Sequence, residues 1–232
     1  MDAGLLLTGL EYGSIGNSFE SLLGDSGVVE AMGASASDDL VDGFYATSIL
    51  TLGLIAAGFA ISSAMRPRAD EDGNRVELLL ATGLSRSAWL GGHVVTTVGG
   101  TLLVVAAAGL GMGVGYAPTT GDGGAVIRFG GPMLAQVAPV LALSGLARML
   151  YGVAPRLLVL AWVPLAFAVA VLVLGESLQI PQPLQDLSPF EHLALAPAES
   201  FRWRPVLVVA AIAAILSLAG QLSFRRRDIG AG

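Results

Sequence analysis

Charged residues divide the chain into long apolar stretches. A helix needs about 20 mostly apolar residues to cross a hydrocarbon core about 30 Å thick. Residues 43–65 carry no charge between Asp42 and Arg66, and residues 87–121 carry none between Arg86 and Asp122. The same holds for residues 129–147 between Arg128 and Arg148, and for residues 157–175 between Arg156 and Glu176. Residues 205–224 complete the set, between Arg204 and Arg225. These stretches predict five membrane spans. The second is longer than a span needs, which predicts a loop at its end, around Pro118, Thr119 and Thr120. Residues 4–19 predict a sixth crossing, short or tilted, interrupted by Glu11. A signal peptide reads poorly there, because no basic residue precedes the apolar run. The expected fold class is an all-α polytopic membrane protein in which residues 1–232 form one transmembrane domain.

Composition narrows the class. The 232 residues are 54% hydrophobic and 13% charged, with a mean hydropathy of +0.73. A soluble domain carries about 25% charged residues, and disorder needs more charge still. Cysteine is absent, which removes thiol nucleophiles, disulfides and Cys-ligated metals. All 12 basic residues are Arg, so neither a Schiff-base lysine nor the lysine of a phosphate-binding loop is available. A net charge of −6 argues against nucleic acid as a partner.

Charge also predicts orientation. Residues 66–86 hold four Arg, the next loop on that side holds Arg148 and Arg156, and the tail holds Arg225, Arg226 and Arg227. Nine of the twelve Arg therefore face one side, which the positive-inside rule makes cytoplasmic. Residues 20–42 lie opposite, with six acidic residues and no Arg. The expectation is a multi-pass protein of the plasma (inner) membrane with a cytoplasmic C-terminus.

The segment 66–86 holds the most chemistry. Residues 71–82 predict a short helix on the membrane surface, where Glu71 and Arg75 can pair one turn apart. Gly83 fits its end, and Ser85 fits the N-cap of the next span. The run Leu78, Leu79, Leu80 needs burial, either as an interfacial connector or as a docking face for a cytoplasmic partner. In the outer loop 176–204, Ser188, Pro189, Phe190 and Glu191 spell a capping box that predicts a short helix to about Ala196. That loop reads equally as a structured connection or as a lid. Eight glycines between Gly91 and Gly115 predict close helix packing. Glu11 and His93 are the polar candidates inside the membrane. His93 and His192 are the two histidines, too few for a recognisable zinc site, and no hydrolase or protease motif is present.

A set of short motifs occurs in order: Arg66 and Arg68, then Asp70 to Ala81, then Ser85, Arg86, Trp89 and His93. Tyr151 to Arg156, Leu187 to His192 and Phe224 to Ile229 follow. The set resembles the C-terminal half of permeases of ATP-binding-cassette exporters of the polyketide-antibiotic or tetronasin type. The resemblance implies the type-2 exporter fold, with residues 66–86 as the coupling segment and residues 183–196 as an outer re-entrant region. It implies that Arg68, Glu71, Arg75, Glu77, Leu79 and Arg86 couple to an ATPase. It makes Ser188, Pro189, Phe190, Glu191 and His192 candidates for an outer lid. No substrate residue transfers. The implied function is export of hydrophobic or amphipathic cargo. ATP and Mg would be held by separate ATPase subunits, and this chain would bind no cofactor or metal. A second permease half, another chain or a copy of this one, and the lipid bilayer are the other implied partners. Two competing readings are a membrane enzyme that uses Glu11 and His93 as a proton-transfer pair, and a non-transporting accessory subunit.

Overall fold

The computed structural model describes residues 4–12, 14–15, 34–72, 85–120, 124–175 and 177–226. Among these residues the regular structure is helical. Helix α1 covers residues 4–12, and α2 is Ala34–Asp72. Helices α3 and α4 are Arg86–Thr120 and Ala125–Ala135, and α5 is Val137–Val153. A 3₁₀ segment, Pro155–Trp162, leads into α6, Val163–Leu174. The one-turn helix α7, Gln182–Gln185, opens a turn-rich stretch that ends at α8, Trp203–Arg226. Five helical stretches are long and apolar enough to cross a membrane: Val41–Glu71, Ser87–Ala117, Ala125–Val153, Pro155–Leu174 and Trp203–Arg225. The expected five spans are thus present. The nine residues of α1 rise roughly 14 Å, about half a hydrocarbon core.

The boundaries differ from expectation in four places. Helix α2 is 39 residues long and does not stop at Met65; it continues through Pro67 to Asp72. At 1.5 Å per residue it rises roughly 58 Å, enough to cross and project. Glu71 therefore belongs to the last turn of α2 and not to a separate surface helix. Helix α3 likewise continues through Pro118 to Thr120, where a loop was expected. Its start agrees with the sequence: the Ser85 hydroxyl accepts the Ala88 N–H at 3.2 Å, an N-cap bond.

The third span is broken. Pro139 has no N–H to offer the Ala135 carbonyl. The chain turns at Gln136, whose N–H donates to the Met133 carbonyl at 3.1 Å, and α5 restarts at Val137. Helix α5 then runs past Arg148 to Val153, so Arg148 is a helix residue and not a loop charge. A related effect shapes the next span. Pro164 cannot donate to the Leu160 carbonyl, which takes the Val163 N–H instead, the shorter reach of a 3₁₀ turn.

The fourth difference lies in the outer loop. Residues 188–196 form turns in place of the expected helix. The Ser188 carbonyl accepts the Glu191 N–H at 3.2 Å, and its hydroxyl accepts the Phe190 N–H at 3.3 Å. That single turn does not propagate; downstream the Ala196 N–H donates to the Ala194 carbonyl at 2.8 Å.

Two compact units can be told apart. The first comprises Met1–Ile55, Leu102–Val137 and Leu193–Trp203; the second comprises Ala56–Thr101, Ala138–His192 and Arg204–Gly232. In the first, the rings of Tyr45, Tyr116 and Phe129 meet pairwise at 4.7 to 5.3 Å between centroids. Helix α1 lies directly on α3: a side chain added at Gly9 would come within 2.5 Å of the Ala108 carbonyl, and one at Gly111 would meet the Leu6 carbonyl. Glycine packing expected for the second span is seen at these positions.

Candidate functional site

The second unit concentrates buried polar and charged groups. It is built on the contact between α5 and α8. Gly145 and Gly152 lie seven residues apart on one face of α5, and Ala213 and Gly220 repeat that spacing on α8. A side chain added at Gly145 would come within 2.8 Å of the Ala213 carbonyl, and one at Gly152 would collide with the Gly220 backbone. Small residues here let two backbones touch, the way helices associate in lipid. Arg148 and Ser217 sit between these two contacts. The Arg148 Nη1 donates to Ser217 Oγ at 2.7 Å. Arg148 is only 6% exposed, and its Nη2 has no hydrogen-bond partner among the described residues.

Aromatic rings extend the site. Tyr151 stacks on Phe224 at 5.3 Å with 24° between ring planes. Phe224 meets Trp89 at 6.0 Å, and Trp89 meets the His93 ring edge-on at 5.0 Å. Phe224, Tyr151 and Trp89 are all buried. His93 Nε2 lies 3.6 Å from Asp70 Oδ2, which joins the start of α3 to the end of α2. Ser63 and Thr97 add a buried hydroxyl pair at 3.0 Å between the same two helices. Arg68 pairs with Glu71 at 3.8 Å.

The sequence candidates fare unevenly. His93 takes a partner on another helix. Arg68 and Glu71 pair with each other, whereas the expected partner Arg75 lies outside the described residues, as do Glu77 and Leu79. Arg86 is the first residue of α3. Glu11 is exposed on α1, in the first unit, while His93 is in the second. Of the lid candidates, Ser188 and Phe190 are buried, Pro189 and Glu191 are half-buried and His192 is exposed. Burial pushes the Glu191 carboxyl up, Asp186 pushes it the same way, and His192 opposes both. Among the described residues no group of three or more His, Asp or Glu is placed to hold a metal.

Sequence reasoning passed over Arg148 as a loop charge. The signal was present: positions 145, 148 and 152 share one helical face, flanking a charge with two glycines. Trp89 and His93, Tyr151, and Phe224 stand in three separate sequence motifs, and the fold brings all four into one cluster.

Five apolar helices of spanning length, packed through glycine contacts around buried polar groups, define a multi-pass membrane protein. The chain belongs to the family described as the C-terminal domain of the multidrug efflux system permease Rv1217c, whose model matches residues 2–225. It is 35% identical over 231 residues to the multidrug efflux system permease protein Rv1217c of Mycobacterium tuberculosis (strain ATCC 25618 / H37Rv). That match covers 97% of this chain and 42% of the relative, so the chain spans less than half the relative's length. The expected likeness to the C-terminal part of an efflux permease is borne out.

Proposed function

We propose that this chain is the transmembrane permease part of an ATP-driven exporter for hydrophobic or amphipathic compounds. The observation that carries the reading is the match of residues 2–225 to an efflux permease domain. The relative's name is that of the permease of an efflux system, which supports partners for this chain. The assembly would include ATPase subunits, which hold ATP and Mg, and a second permease half. The chain would lie in the inner membrane with its C-terminus in the cytoplasm, as the distribution of Arg supports.

The geometry of the second unit suits coupling. Residues 73–84 leave α2 just after Asp70 and enter α3 just before Trp89 and His93. The Asp70–His93 pair clasps the end of α2 to the start of α3. From His93 the ring contacts run through Trp89 and Phe224 to Tyr151 on α5. A push on the segment would thus reach four spanning helices, α2, α3, α8 and α5, through packed groups. Closure of the ATPases would bias these helices between inward-open and outward-open arrangements, a two-state equilibrium driven by nucleotide.

Charge reversal in the segment tests this. In Arg75→Glu or Glu77→Arg, the protein inserts normally while efflux and transport-stimulated ATP hydrolysis fall to background. Unchanged efflux and stimulation in both variants would refute the assignment. Turnover by purified chain without any ATPase would favour an enzyme.

A further inference from the structure

Arg148 is a cation held inside a membrane span, and among the described residues it pairs with no carboxylate. Its one bond is to a neutral hydroxyl, Ser217 Oγ, and that bond uses Nη1 alone. Nη2 is buried and has no acceptor among the described residues. Five residues from the end of α5, an Arg side chain could snorkel to the interface, yet this one stays 6% exposed. Helix association does not require it: the backbone contacts at Gly152 and Gly220 need only small residues, and a neutral side chain could bond Ser217. A charge kept at such a depth marks a functional site by default.

We infer that Arg148 binds the head group of an amphipathic anion, a carboxylate or phosphate carried on an apolar tail. The free Nη2 is a charge-assisted donor, the type that recognises these groups. Helix α8, which covers Arg148 through Ser217, is thinly packed: Ile215, Leu218 and Leu222 are exposed along one stripe. That stripe lies on the face of α8 turned away from α5, whereas Ser217 is half-buried on the α5 side, so the head would enter beside Ser217 and the tail would remain in the surrounding lipid. The inference deepens the transport reading by naming the class of cargo, and the same chemistry is offered by a membrane lipid phosphate.

Equilibrium binding of dodecyl phosphate and of dodecanol to the full chain in dodecyl maltoside micelles, which carry no phosphate, tests it. The phosphate is expected to bind about tenfold more tightly than the alcohol, the worth of one charge-assisted hydrogen bond. Arg148→Gln, which keeps a donor for Ser217 and removes the charge, is expected to abolish that preference, and Arg148→Lys to retain part of it. Micelles doped with phosphatidylglycerol separate the two sources. Competition with dodecyl phosphate shows that a lipid phosphate reaches the site, and absence of competition reserves it for a free amphiphile; both support the inference. Equal binding of the two probes by the unaltered protein, or full preference in Arg148→Gln, overturns it. If Arg148→Gln fails to fold, the unaltered protein and Arg148→Lys decide. No ATPase is present in the assay, so a failed efflux experiment and a failed binding experiment stay distinct.

Discussion

The two units build similar aromatic clusters and handle polar groups in opposite ways. Tyr45, Tyr116 and Phe129 pack in the first, beside an ion pair between Asp42 and Arg128 whose side chains are 25% and 38% exposed. The Arg128 guanidinium also lies 5.7 Å from the centre of the Phe129 ring. Among the described residues, the polar side chains this unit buries are neutral: Ser48, and Gln136 at the break between α4 and α5, which fits where Gly53 lacks a side chain. In the second unit, Trp89, Tyr151 and Phe224 pack near Arg148, a full charge that is buried. An ion pair at a wet edge contributes little and costs little. A cation inside a span is expensive and must be compensated by something specific. The first unit therefore reads as structural packing, and the second as the working part.

Both clusters should be equally sensitive to loss of a ring. Phe129→Ala and Phe224→Ala are each expected to cost about 3–5 kcal/mol in reversible unfolding in detergent, since both rings are fully buried. Only Phe224→Ala should also shift the tryptophan emission, because Phe224 touches Trp89. A shift from both would erase the distinction between the units.

Overpacking should separate them further. In Gly220→Val the added atoms meet the Arg148 carbonyl and the Met149 backbone, which cannot rotate away. We expect a loss of about 1–3 kcal/mol or more, with the seam between α5 and α8 forced apart. A melting temperature equal to that of the unaltered protein would show that the seam is not a backbone contact.

The exposed ion pair should matter least among the packing contacts. Asp42→Asn is expected to cost no more than about 1 kcal/mol, and less in high salt. A larger, salt-independent loss would mean that the pair is not at an edge.

The smallest effect concerns the outer loop. Burial raises the Glu191 pKa, so the folded protein holds this proton more tightly than the unfolded chain. At low pH both states are protonated and there is no penalty. As pH rises from the ordinary carboxylate range through the raised value, stability declines, and above it the penalty is constant. Glu191→Gln should flatten that decline in unfolding midpoints measured across the acidic range. An unchanged slope would place the titration elsewhere.

Much of the fold was legible along the chain. The five spans followed from uncharged length, and Ser85 was recognisable as a cap because capping is a local bond. Proline positions were just as visible, but their consequences were harder to read. Pro67 and Pro118 are carried within helices, whereas Pro139 breaks one; what differs is the company each keeps, which local pattern does not contain. The capping box at Ser188 was a true local signal, and it closed one turn that did not grow into a helix.

The site was legible only in fragments. Trp89, His93, Tyr151 and Phe224 stood out in separate motifs, and nothing in their spacing says that they meet. Arg148 was misassigned because a charge at the edge of an apolar stretch usually marks the edge of a span. Its burial depends on Ser217 and Gly220, some seventy residues later. The sequence by itself determined a multi-pass helical membrane protein and the distribution of its Arg, because apolar length and net charge are summed along one dimension. Only the tertiary structure decided which polar groups are buried together, because burial is set by the neighbouring helix, and which helices become neighbours is decided by how closely their small residues let the backbones approach.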